Sequence, residues 1–266
     1  MGTVNTRRLA VVTGASSGIG FELARQCADN GFDLIICAEN HEIERAAGQL
    51  GAGGAQVRAI VADLATREGV EELARATQDA GRPIDALLLN AGVGVGGEFI
   101  KTPIDDEVRM VELNCNHTIR LAKLIVPAMV ERGEGRVMIT ASIASTTPSP
   151  FHAVYGATKA FVMSFAEALR TELADTGVTV TALQPGPTDT EFFARANMEE
   201  TPVGRGDKDD PADVARQGFE AMMSGKDSVI AGGMKSKLQG MANEVLPETV
   251  KAKASAKQAK PDDVKH

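Results

Sequence analysis

A short apolar run that leads directly into a glycine-rich segment constrains this chain most. Residues 9–13 (LAVVT) have the pattern of a strand, residues 14–20 (GASSGIG) follow at once, and a helical pattern begins at Ile19. Glycines permit a tight turn and a close approach of the backbone to a ligand, and a helix N-terminus attracts anions. This order predicts a parallel α/β fold with a phosphate-binding loop, although a plain tight turn would also use such glycines.

The rest of the chain repeats the alternation of strand and helix. The pattern predicts strands at 9–13, 33–38, 57–62, 84–90, 136–142, 178–184 and 228–231, and helices at 19–30, 41–50, 67–80, 104–132, 153–174 and 212–223. We therefore expect one doubly wound α/β domain with a seven-stranded parallel sheet and helices on both faces. Its ligand site should lie beyond the carboxyl ends of the strands.

A length of 266 residues, 43% of them hydrophobic, suits one domain of this kind. We expect this domain to span residues 1–250 and to include a substrate lid at about 188–204. Residues 251–266 carry five lysines and no aromatic residue. That composition predicts a frayed, solvated tail.

Acidic residues outnumber basic ones, which argues against polyanionic partners. The 36 Asp and Glu residues and the 28 Lys and Arg residues give a formal net charge of -8. Such a surface repels nucleic acid and anionic lipid. No apolar run of the sequence approaches the ~18 residues of a membrane span. Neither nucleic acid nor a membrane is therefore an expected partner.

Cysteine and histidine usage argues against disulfides and metals. Cys27, Cys37 and Cys115 form no CxxC pair and lie in apolar stretches, where free thiols behave as small hydrophobic groups. The four histidines have no spacing typical of a metal site. We expect a cytoplasmic protein without a bound metal.

Tyr155 is the only tyrosine of the chain, and Lys159 follows it by four residues. Within a helix these positions share a face, so the Lys159 ammonium is predicted to lower the pKa of the phenol from ~10 toward neutral pH. Ser142 and Asn114 would complete the kind of cluster that acid-base catalysis needs. The alternative interpretation is a core aromatic residue beside a solvated lysine.

Taken together, the motifs resemble those of the short-chain dehydrogenase/reductase family. Residues 13–20 have the spacing TGxxxGxG, residues 155–159 read YGATK and residues 90–92 read NAG. The resemblance covers nearly the whole chain and implies a single Rossmann domain that acts as an NAD(P)-dependent oxidoreductase. It also includes Asp63-Leu64, Asn114, Ser142, and Pro185-Gly186 with Thr188 and Thr190.

The resemblance implies roles for individual residues. Tyr155 exchanges a proton with the substrate oxygen, Ser142 hydrogen-bonds that oxygen, and Lys159 also holds the nicotinamide ribose. Asn114 anchors a water relay behind the lysine, and the implied catalytic residues are thus Asn114, Ser142, Tyr155 and Lys159. The residues implied to bind the cofactor are Gly14, Ser16, Ser17, Gly18, Ile19, Gly20, Glu39, Asp63, Leu64, Asn90, Ala91, Gly92, Tyr155, Lys159, Pro185, Gly186, Thr188 and Thr190.

Two of these residues have a structural role as an alternative or an addition. Asp63 is implied to meet the adenine edge, but Asp is also a preferred residue for a helix N-cap. Asn90 is expected to tie the fourth strand to its neighbour as well as to contribute to binding.

Two positions depart from the usual pattern of the family. His117 stands where many members have glycine, which leaves the local helix packing open. Glu39 ends the second strand, where an acid can accept hydrogen bonds from the ribose of NAD, but NAD-preferring members often carry Asp one position earlier, here Ala38. No cation is evident near Glu39 in the sequence, so we expect NAD(H) to be favoured and NADP(H) to remain possible. A solvent-facing Glu39 is the alternative.

The implied reaction is hydride transfer between a nicotinamide cofactor and a small-molecule carbonyl or secondary alcohol. The alternative is a non-catalytic dinucleotide-binding sensor or interaction protein, because a fold alone does not establish function. Segments 143–154 and 188–204 are expected to line the substrate pocket without revealing the substrate. The resemblance also implies a homodimer or homotetramer built on helices 104–132 and 153–174, which carry Phe161, Phe165, Leu121 and Ile125.

Overall fold

The computed structural model describes residues 7–260, and seven strands form its central sheet. The strands are β1 (Arg8–Thr13), β2 (Phe32–Ala38), β3 (Val57–Val61), β4 (Ala86–Leu89), β5 (Gly135–Thr140), β6 (Val178–Pro185) and β7 (Ser228–Ala231). Their order in the sheet is β3-β2-β1-β4-β5-β6-β7, and all neighbours are parallel. The predicted seven-stranded parallel sheet is confirmed.

Helices of very different length lie between these strands and after the last one. They are α1 (Gly18–Asp29), α2 (Glu42–Gly51), α3 (Arg67–Gln78), α4 (Ile104–Val111), α5 (His117–Arg132), α6 (Ala153–Glu172), α7 (Phe192–Arg195), α8 (Pro202–Arg205), α9 (Pro211–Met223), α10 (Met234–Val245) and α11 (Glu248–Ala259). Within residues 7–260, no helix is long and apolar enough to cross a membrane.

The side chains of β1 show why helices cover both faces of the sheet. Leu9 and Val11 join one core cluster with residues of α3, α5 and α6, whereas Ala10 and Val12 join the other with residues of α1, α2 and α9. Successive side chains of a strand point to opposite faces, and all four of these are buried. The predicted doubly wound α/β architecture is therefore confirmed.

The winding of the sheet reverses between β1 and β4. β1 pairs with β2 on one side and with β4 on the other, so the connections on the two sides leave in opposite directions. A crevice opens at such a point, beyond the carboxyl ends of the strands, and is the usual ligand site of these folds. The glycine loop and the segments after β2 to β6 all reach this crevice.

The helix predicted at 104–132 is interrupted. α4 passes into a π-helical turn over Glu112–Asn116 before α5 begins at His117. In this turn Asn114 is buried and its side chain bonds to the backbone of Val93. Single π-helical turns often mark functional sites, and hydrophobic spacing cannot reveal them.

The C-terminal residues differ from the prediction of a frayed tail. Lys251 on α11 is buried, and its ammonium donates hydrogen bonds to the carbonyl oxygens of Thr146 at 2.8 Å and Asn243 at 3.1 Å. Ala259, at the end of α11, is buried in an apolar cluster. The prediction was wrong here because a count of lysines gives no information about tertiary partners, whereas residues 261–266 lie outside the described part of the chain.

Candidate active site

A cleft of about 440 Å³ lies where the winding of the sheet reverses. Its walls come from the glycine loop, the residues after β2 to β6, the first turns of α6, and parts of α7, α10 and α11. Every residue predicted to be catalytic or cofactor-binding lines this cleft, with the exception of Asn114. Motifs that are far apart in the sequence therefore meet at one place.

The glycine loop is shaped to accept a phosphate group. Gly14 and Gly18 have φ angles of +67° and +56°, which favour glycine. A Cβ atom on Gly20 would lie 2.0 Å from the carbonyl oxygen of Gly14, so only glycine lets α1 start this close to the loop. The N-cap residue Ser17 makes no side-chain hydrogen bond to the first turn of α1. That turn can therefore direct its N–H groups to an anion, which fits a pyrophosphate.

Asn90 holds three strand ends together, as predicted for its structural role. Its Nδ2 donates hydrogen bonds to the carbonyl oxygens of Thr13 at 3.2 Å and Gly14 at 3.4 Å. Its Oδ1 accepts a bond from the Thr140 hydroxyl at 3.1 Å. The ends of β1, β4 and β5 are thereby fixed beside the loop, and Ala91 and Gly92 continue from Asn90 along the cleft wall.

One end of the cleft, which we call the buried end, holds Ser142, Tyr155 and Lys159. Ser142 follows β5, while Tyr155 and Lys159 lie one turn apart on α6. Desolvation raises the pKa of Tyr155 from 10.0 to about 12, and the hydrogen bond with Ser142 opposes this shift only in part. The phenol therefore keeps its proton at neutral pH.

The side chain of Lys159 is buried, which its four-residue spacing from Tyr155 does not predict. Its ammonium donates a hydrogen bond to the carbonyl oxygen of Thr140 at 2.9 Å. Burial lowers the pKa of Lys159 from 10.5 to about 8. The predicted net shift of the phenol pKa toward neutral pH is not found, because desolvation raises the pKa of Tyr155, and Lys159 Nζ lies 5.8 Å from the centre of its ring.

Asn114 lies outside the cleft lining, next to Gly92. Its Nδ2 donates hydrogen bonds to the Val93 carbonyl and the Thr158 hydroxyl, both at 2.9 Å, and its Oδ1 accepts from the Val93 N–H at 2.9 Å. A Cβ atom on Gly92 would lie 3.1 Å from Asn114 Oδ1 and 3.4 Å from Lys159 Nζ. Asn114 thus holds the Val93 segment directly beside the lysine.

His117, at the position where glycine is usual in the family, packs as a neutral side chain. Its Nδ1 donates a hydrogen bond to the carbonyl oxygen of Leu113. The ring is buried, and desolvation lowers the pKa of His117 to about 4. The departure from the family pattern is therefore accommodated within the core beside the π-helical turn.

The other end of the cleft, which we call the charged end, holds Glu39, Asp63, Arg109 and Arg195. Arg109 donates hydrogen bonds to Glu39 Oε2 at 2.9 Å and to Asp63 Oδ2 at 2.8 Å. Arg195 lies 4.0 Å from Glu39 Oε1. The expectation that no cation lies near Glu39 was therefore wrong, because both arginines are distant in sequence and reach Glu39 only in the fold.

The contacts of Asp63 test its alternative role as a helix N-cap. Its Oδ1 accepts a hydrogen bond from the Ala65 N–H at 2.9 Å, but the N-cap of α3 is Thr66, whose hydroxyl accepts from the Gly69 N–H. The alternative of an N-cap role was therefore wrong. Burial alone would raise the pKa of Asp63, yet the hydrogen bond from Arg109 holds it below its ordinary value. The next residue, Leu64, is buried at the cleft wall.

The wall around Tyr155 is aromatic and uncharged. The His152 ring stacks on the Tyr155 ring with 5.9 Å between centroids, and the Phe192 ring lies 5.3 Å away on α7. Desolvation lowers the pKa of His152 to about 4, so this ring is neutral at pH 7. From the two segments predicted to line the pocket, His152, Phe192, Phe193 and Met198 do so, whereas Pro148, Pro150 and Phe151 do not.

The segment after β6 closes the cleft beside these rings. β6 ends at Pro185, and the Thr188 hydroxyl donates a hydrogen bond to the Gly186 carbonyl at 2.9 Å. The Thr190 hydroxyl accepts a bond from the Phe192 N–H at 3.3 Å. The two threonines thus shape the turn that leads into α7.

Sequence reasoning missed the contribution of the C-terminal helices. Gln239, Asn243 and Leu246 line the cleft together with Lys251. The ammonium of Lys251 is already bonded to two carbonyl oxygens and lies 2.6 Å from a carboxylate oxygen of Glu248. No local pattern links these residues to the motifs, because only the return of the chain across the cleft brings them there. Among the described residues, no group of His, Cys, Asp and Glu could hold a metal ion.

Comparison with known proteins agrees with this geometry. A family model described as short chain dehydrogenase matches residues 8–201. An uncharacterized oxidoreductase of Staphylococcus aureus (strain MRSA252) is 32% identical over 225 residues, which cover 84% of this chain and 94% of the relative.

Solved structures show the same fold with cofactors bound. A short-chain dehydrogenase from Sphingobium yanoikuyae in complex with NADPH has a TM-score of 0.78 and 28% identity, and covers 84% of this chain and 87% of that one. A short-chain dehydrogenase/reductase from Burkholderia phymatum in complex with NAD has a TM-score of 0.76 and 25% identity, over 85% and 89% of the two chains. The chain therefore belongs to the short-chain dehydrogenase/reductase family of NAD(P)-binding oxidoreductases.

Proposed function

We propose that the protein interconverts a carbonyl compound and a secondary alcohol with a nicotinamide cofactor, and that Tyr155 exchanges the proton. The observation that carries this proposal is the meeting of Tyr155, Ser142 and Lys159 at the buried end of the cleft, where the phenol keeps its proton at neutral pH. A bound cofactor would supply or accept the hydride. Acid-base catalysis requires a donor within hydrogen-bond reach of the reacting oxygen, and the hydroxyls of Tyr155 and Ser142 offer that position.

In the proposed reaction the residues of the protein move one proton, between Tyr155 and the substrate oxygen. In reduction, the proton of Tyr155 passes to the substrate oxygen, which becomes the alcohol hydroxyl while Ser142 holds it in place. With a pKa of about 8, Lys159 is mostly charged at neutral pH, and its charge near the ring favours the phenolate that remains. In oxidation the proton returns to that phenolate. Asn114 would anchor a water relay that renews the proton from behind the lysine.

The cofactor would extend along the whole cleft. We assign the pyrophosphate to the loop residues Gly14, Ser16, Ser17, Gly18, Ile19 and Gly20 and the adenine and its ribose to the charged end. The nicotinamide would lie at the buried end, with its ribose on Tyr155 and Lys159. The residues assigned to the remaining length are Asn90, Ala91, Gly92, Pro185, Gly186, Thr188 and Thr190, with Asp63 and Leu64 at the adenine.

NAD(H) is the favoured cofactor in this proposal, and NADP(H) is the second. Glu39 lines the cleft at the end of β2, where its carboxylate can accept charge-assisted hydrogen bonds from the free ribose hydroxyls of NAD(H). Family membership alone does not decide the choice, since one similar structure holds NADPH and another holds NAD.

We also propose a homodimer or homotetramer built on α4, α5 and α6. Ile104 and Val108 on α4 are 71% and 52% exposed, and Leu124 on α5 is 51% exposed. Leu121 and Ile125, which the sequence also suggested for this interface, are buried in the core instead. Adjacent exposed apolar side chains are typical of an interface. Light scattering should give a mass above the 27.9 kDa of one chain, and a single chain at micromolar concentration would contradict the proposal.

The same proposal covers the domain, the compartment and the substrate class of the protein. We propose that residues 1–250 act as one domain together with the remainder of α11, which packs against the cleft, and that residues 188–204 form a lid over the buried end. The three cysteines are buried and free, which suits the reducing cytoplasm. The substrate would be a small carbonyl or alcohol compound rather than a nucleic acid or a membrane lipid surface.

A panel of ketones and secondary alcohols tests the proposed reaction. Cofactor absorbance would be followed with saturating NADH or NADPH for the ketones, and with the oxidised cofactors for the alcohols. We expect cofactor conversion equal to product formation with at least one pair. A protein that binds NADH but converts no member of the panel would support the alternative, a non-catalytic dinucleotide-binding sensor or interaction protein.

A further inference from the structure

We propose that Arg109 sets the cofactor selectivity of this protein, because it competes with the ribose hydroxyls of the cofactor for the Glu39 carboxylate. When Arg109 is present, the charged end can receive the 2′-phosphate of NADP(H) as well as the free ribose hydroxyls of NAD(H). This inference rests on the proposed nicotinamide-dependent function and concerns only the choice between the two cofactors.

The position of Arg109 gives it access to both acids of the cleft. It lies in the last turn of α4, and its guanidinium joins Glu39, after β2, to Asp63, after β3. Both carboxylates line the cleft, while Arg109 stands at the rim. Its side chain is 45% exposed, so it can turn without breaking the core.

The two bonds of Arg109 use different nitrogen atoms. Nη1 donates to Asp63 at 2.8 Å, and Nη2 donates to Glu39 at 2.9 Å. Arg109 can therefore release Glu39 while Asp63 still holds it at the rim. A guanidinium has several N–H donors in a fixed fork, which suits a phosphate as well as a carboxylate. The released Nη2 would then be available to the 2′-phosphate.

Charge explains why this release matters for selectivity. An unpaired Glu39 carboxylate would repel the 2′-phosphate, whereas the positive charge of Arg109, which is shared between Glu39 and Asp63, offsets part of this repulsion. Arg195 also approaches Glu39, but its 2.6 Å contact with Glu191 is much closer than its 4.0 Å contact with Glu39. Arg109 is therefore the principal counter-charge of Glu39.

Substitutions of Arg109 and of Glu39 are expected to shift the preference between NADP(H) and NAD(H) in opposite directions. Among the described residues, loss of Arg109 leaves Glu39 with only the 4.0 Å contact of Arg195, which strengthens repulsion of NADP(H) and frees the carboxylate for the hydroxyls of NAD(H). Loss of the Glu39 charge frees Arg109 for the 2′-phosphate. A merely structural ion pair would show no such opposition, because breaking it from either side would disturb the site in the same way.

Binding titrations of NADH and NADPH test this directly. Dissociation constants would be measured by cofactor fluorescence for the wild type, Arg109→Gln and Glu39→Gln, and expressed as the ratio of Kd for NADPH to Kd for NADH. We expect Arg109→Gln to raise this ratio about tenfold and Glu39→Gln to lower it by a similar factor, as charge-assisted hydrogen bonds at a partly exposed site allow.

Arg216→Gln is the matched control. Arg216 is also a half-exposed arginine that bonds two carboxylates, those of Asp213 and Glu220 at 3.2 Å each, but it lies on α9 away from the cleft lining. Its substitution should leave the ratio unchanged.

The outcomes separate this inference from the proposed function. If the wild type binds neither cofactor, the proposed function itself fails. If the wild type binds a cofactor but Arg109→Gln weakens NADH and NADPH equally, leaves both unchanged, or moves the ratio in the same direction as Glu39→Gln, the role given to Arg109 is wrong.

Discussion

The two ends of the cleft treat charge in opposite ways. At the buried end, desolvation raises the pKa of Tyr155 to about 12 and lowers that of Lys159 to about 8, so each group is shifted toward its neutral form. At the charged end, Glu39 and Arg109 are 44% and 45% exposed, and, against the effect of burial, the hydrogen bond from Arg109 lowers the pKa of Asp63, so Asp63 is shifted toward its charged form. Solvent access is what distinguishes the two regions.

This difference predicts how strongly each end responds to change. A group without solvent has no substitute for a lost partner, so a single substitution at the buried end should have a large effect. At the charged end water can replace a lost partner, and half-exposed ion pairs contribute little to stability. The buried end should therefore control rate and stability, while the charged end should control the smaller free-energy differences of cofactor choice.

The largest effect is expected for Tyr155→Phe. This substitution removes the phenol proton but keeps the ring between His152 and Phe192. Turnover of a verified ketone should fall by ~10² to 10⁴, as for other lost acid-base groups. The dissociation constant for NADH should change little, because the hydroxyl is only one of many contacts. Turnover close to that of the wild type would remove Tyr155 from its assigned role.

Lys159→Met should change how stability depends on pH. Because the pKa of Lys159 is about 8 in the folded protein and 10.5 is its ordinary value, the unfolded chain binds more protons between these two pH values. The free energy of unfolding of the wild type should therefore rise through this window relative to the variant, by roughly 3 kcal/mol in total. Urea denaturation at pH 7.5 and pH 10 would measure the difference between the two proteins. A constant difference would mean that the lysine is not desolvated.

Asn114→Ala should have an intermediate effect on stability. The change leaves the N–H and the carbonyl of the half-buried Val93 without their side-chain partner, which costs about 1 to 3 kcal/mol. Asn116→Ala is a matched control in the same π-helical turn, because Asn116 bonds only to the partly exposed Glu112. Denaturant midpoints of the two variants should differ clearly. Equal midpoints would contradict the special role of the Val93 contact.

The smallest effect is expected for the stability of Arg109→Gln. Although Arg109 joins two carboxylates, it is half-exposed, and such pairs typically contribute about 0 to 1 kcal/mol. The variant should unfold within that margin of the wild type, as Arg216→Gln should on α9. A loss of several kcal/mol would show that the charged end is as rigid and dry as the buried end, and the comparison between the two ends would fail.

The sequence predicted best those features that the local backbone requires. The glycine at position 20 is needed because a Cβ there would meet the Gly14 carbonyl, and Asn90 is needed because it joins three strand ends. Such demands leave recognisable spacings of residues, so the fold class and the family resemblance, with the cleft residues that it implies, were available before the structure.

Two kinds of information were absent from the sequence pattern. Contacts between distant segments, such as Arg109 with Glu39 and Lys251 with Thr146, are not predicted by any short-range spacing in the sequence. The sequence pattern also did not show how deeply the side chains of Tyr155 and Lys159 are buried. The four-residue spacing of Tyr155 and Lys159 correctly indicated proximity, but the sign of the shift in the phenol pKa depends on desolvation, which only the packed structure reveals.

Ionisation of Tyr155 in the free protein is the most direct test of the buried end. The chain has one tyrosine and no tryptophan, so the absorbance of tyrosinate reports this residue alone. We expect the phenol to keep its proton at pH 10, its ordinary pKa, while circular dichroism shows a native fold, with ionisation only near pH 12 or on unfolding. Half-ionisation at or below pH 10 in the folded protein would contradict the claim that desolvation governs this end of the cleft.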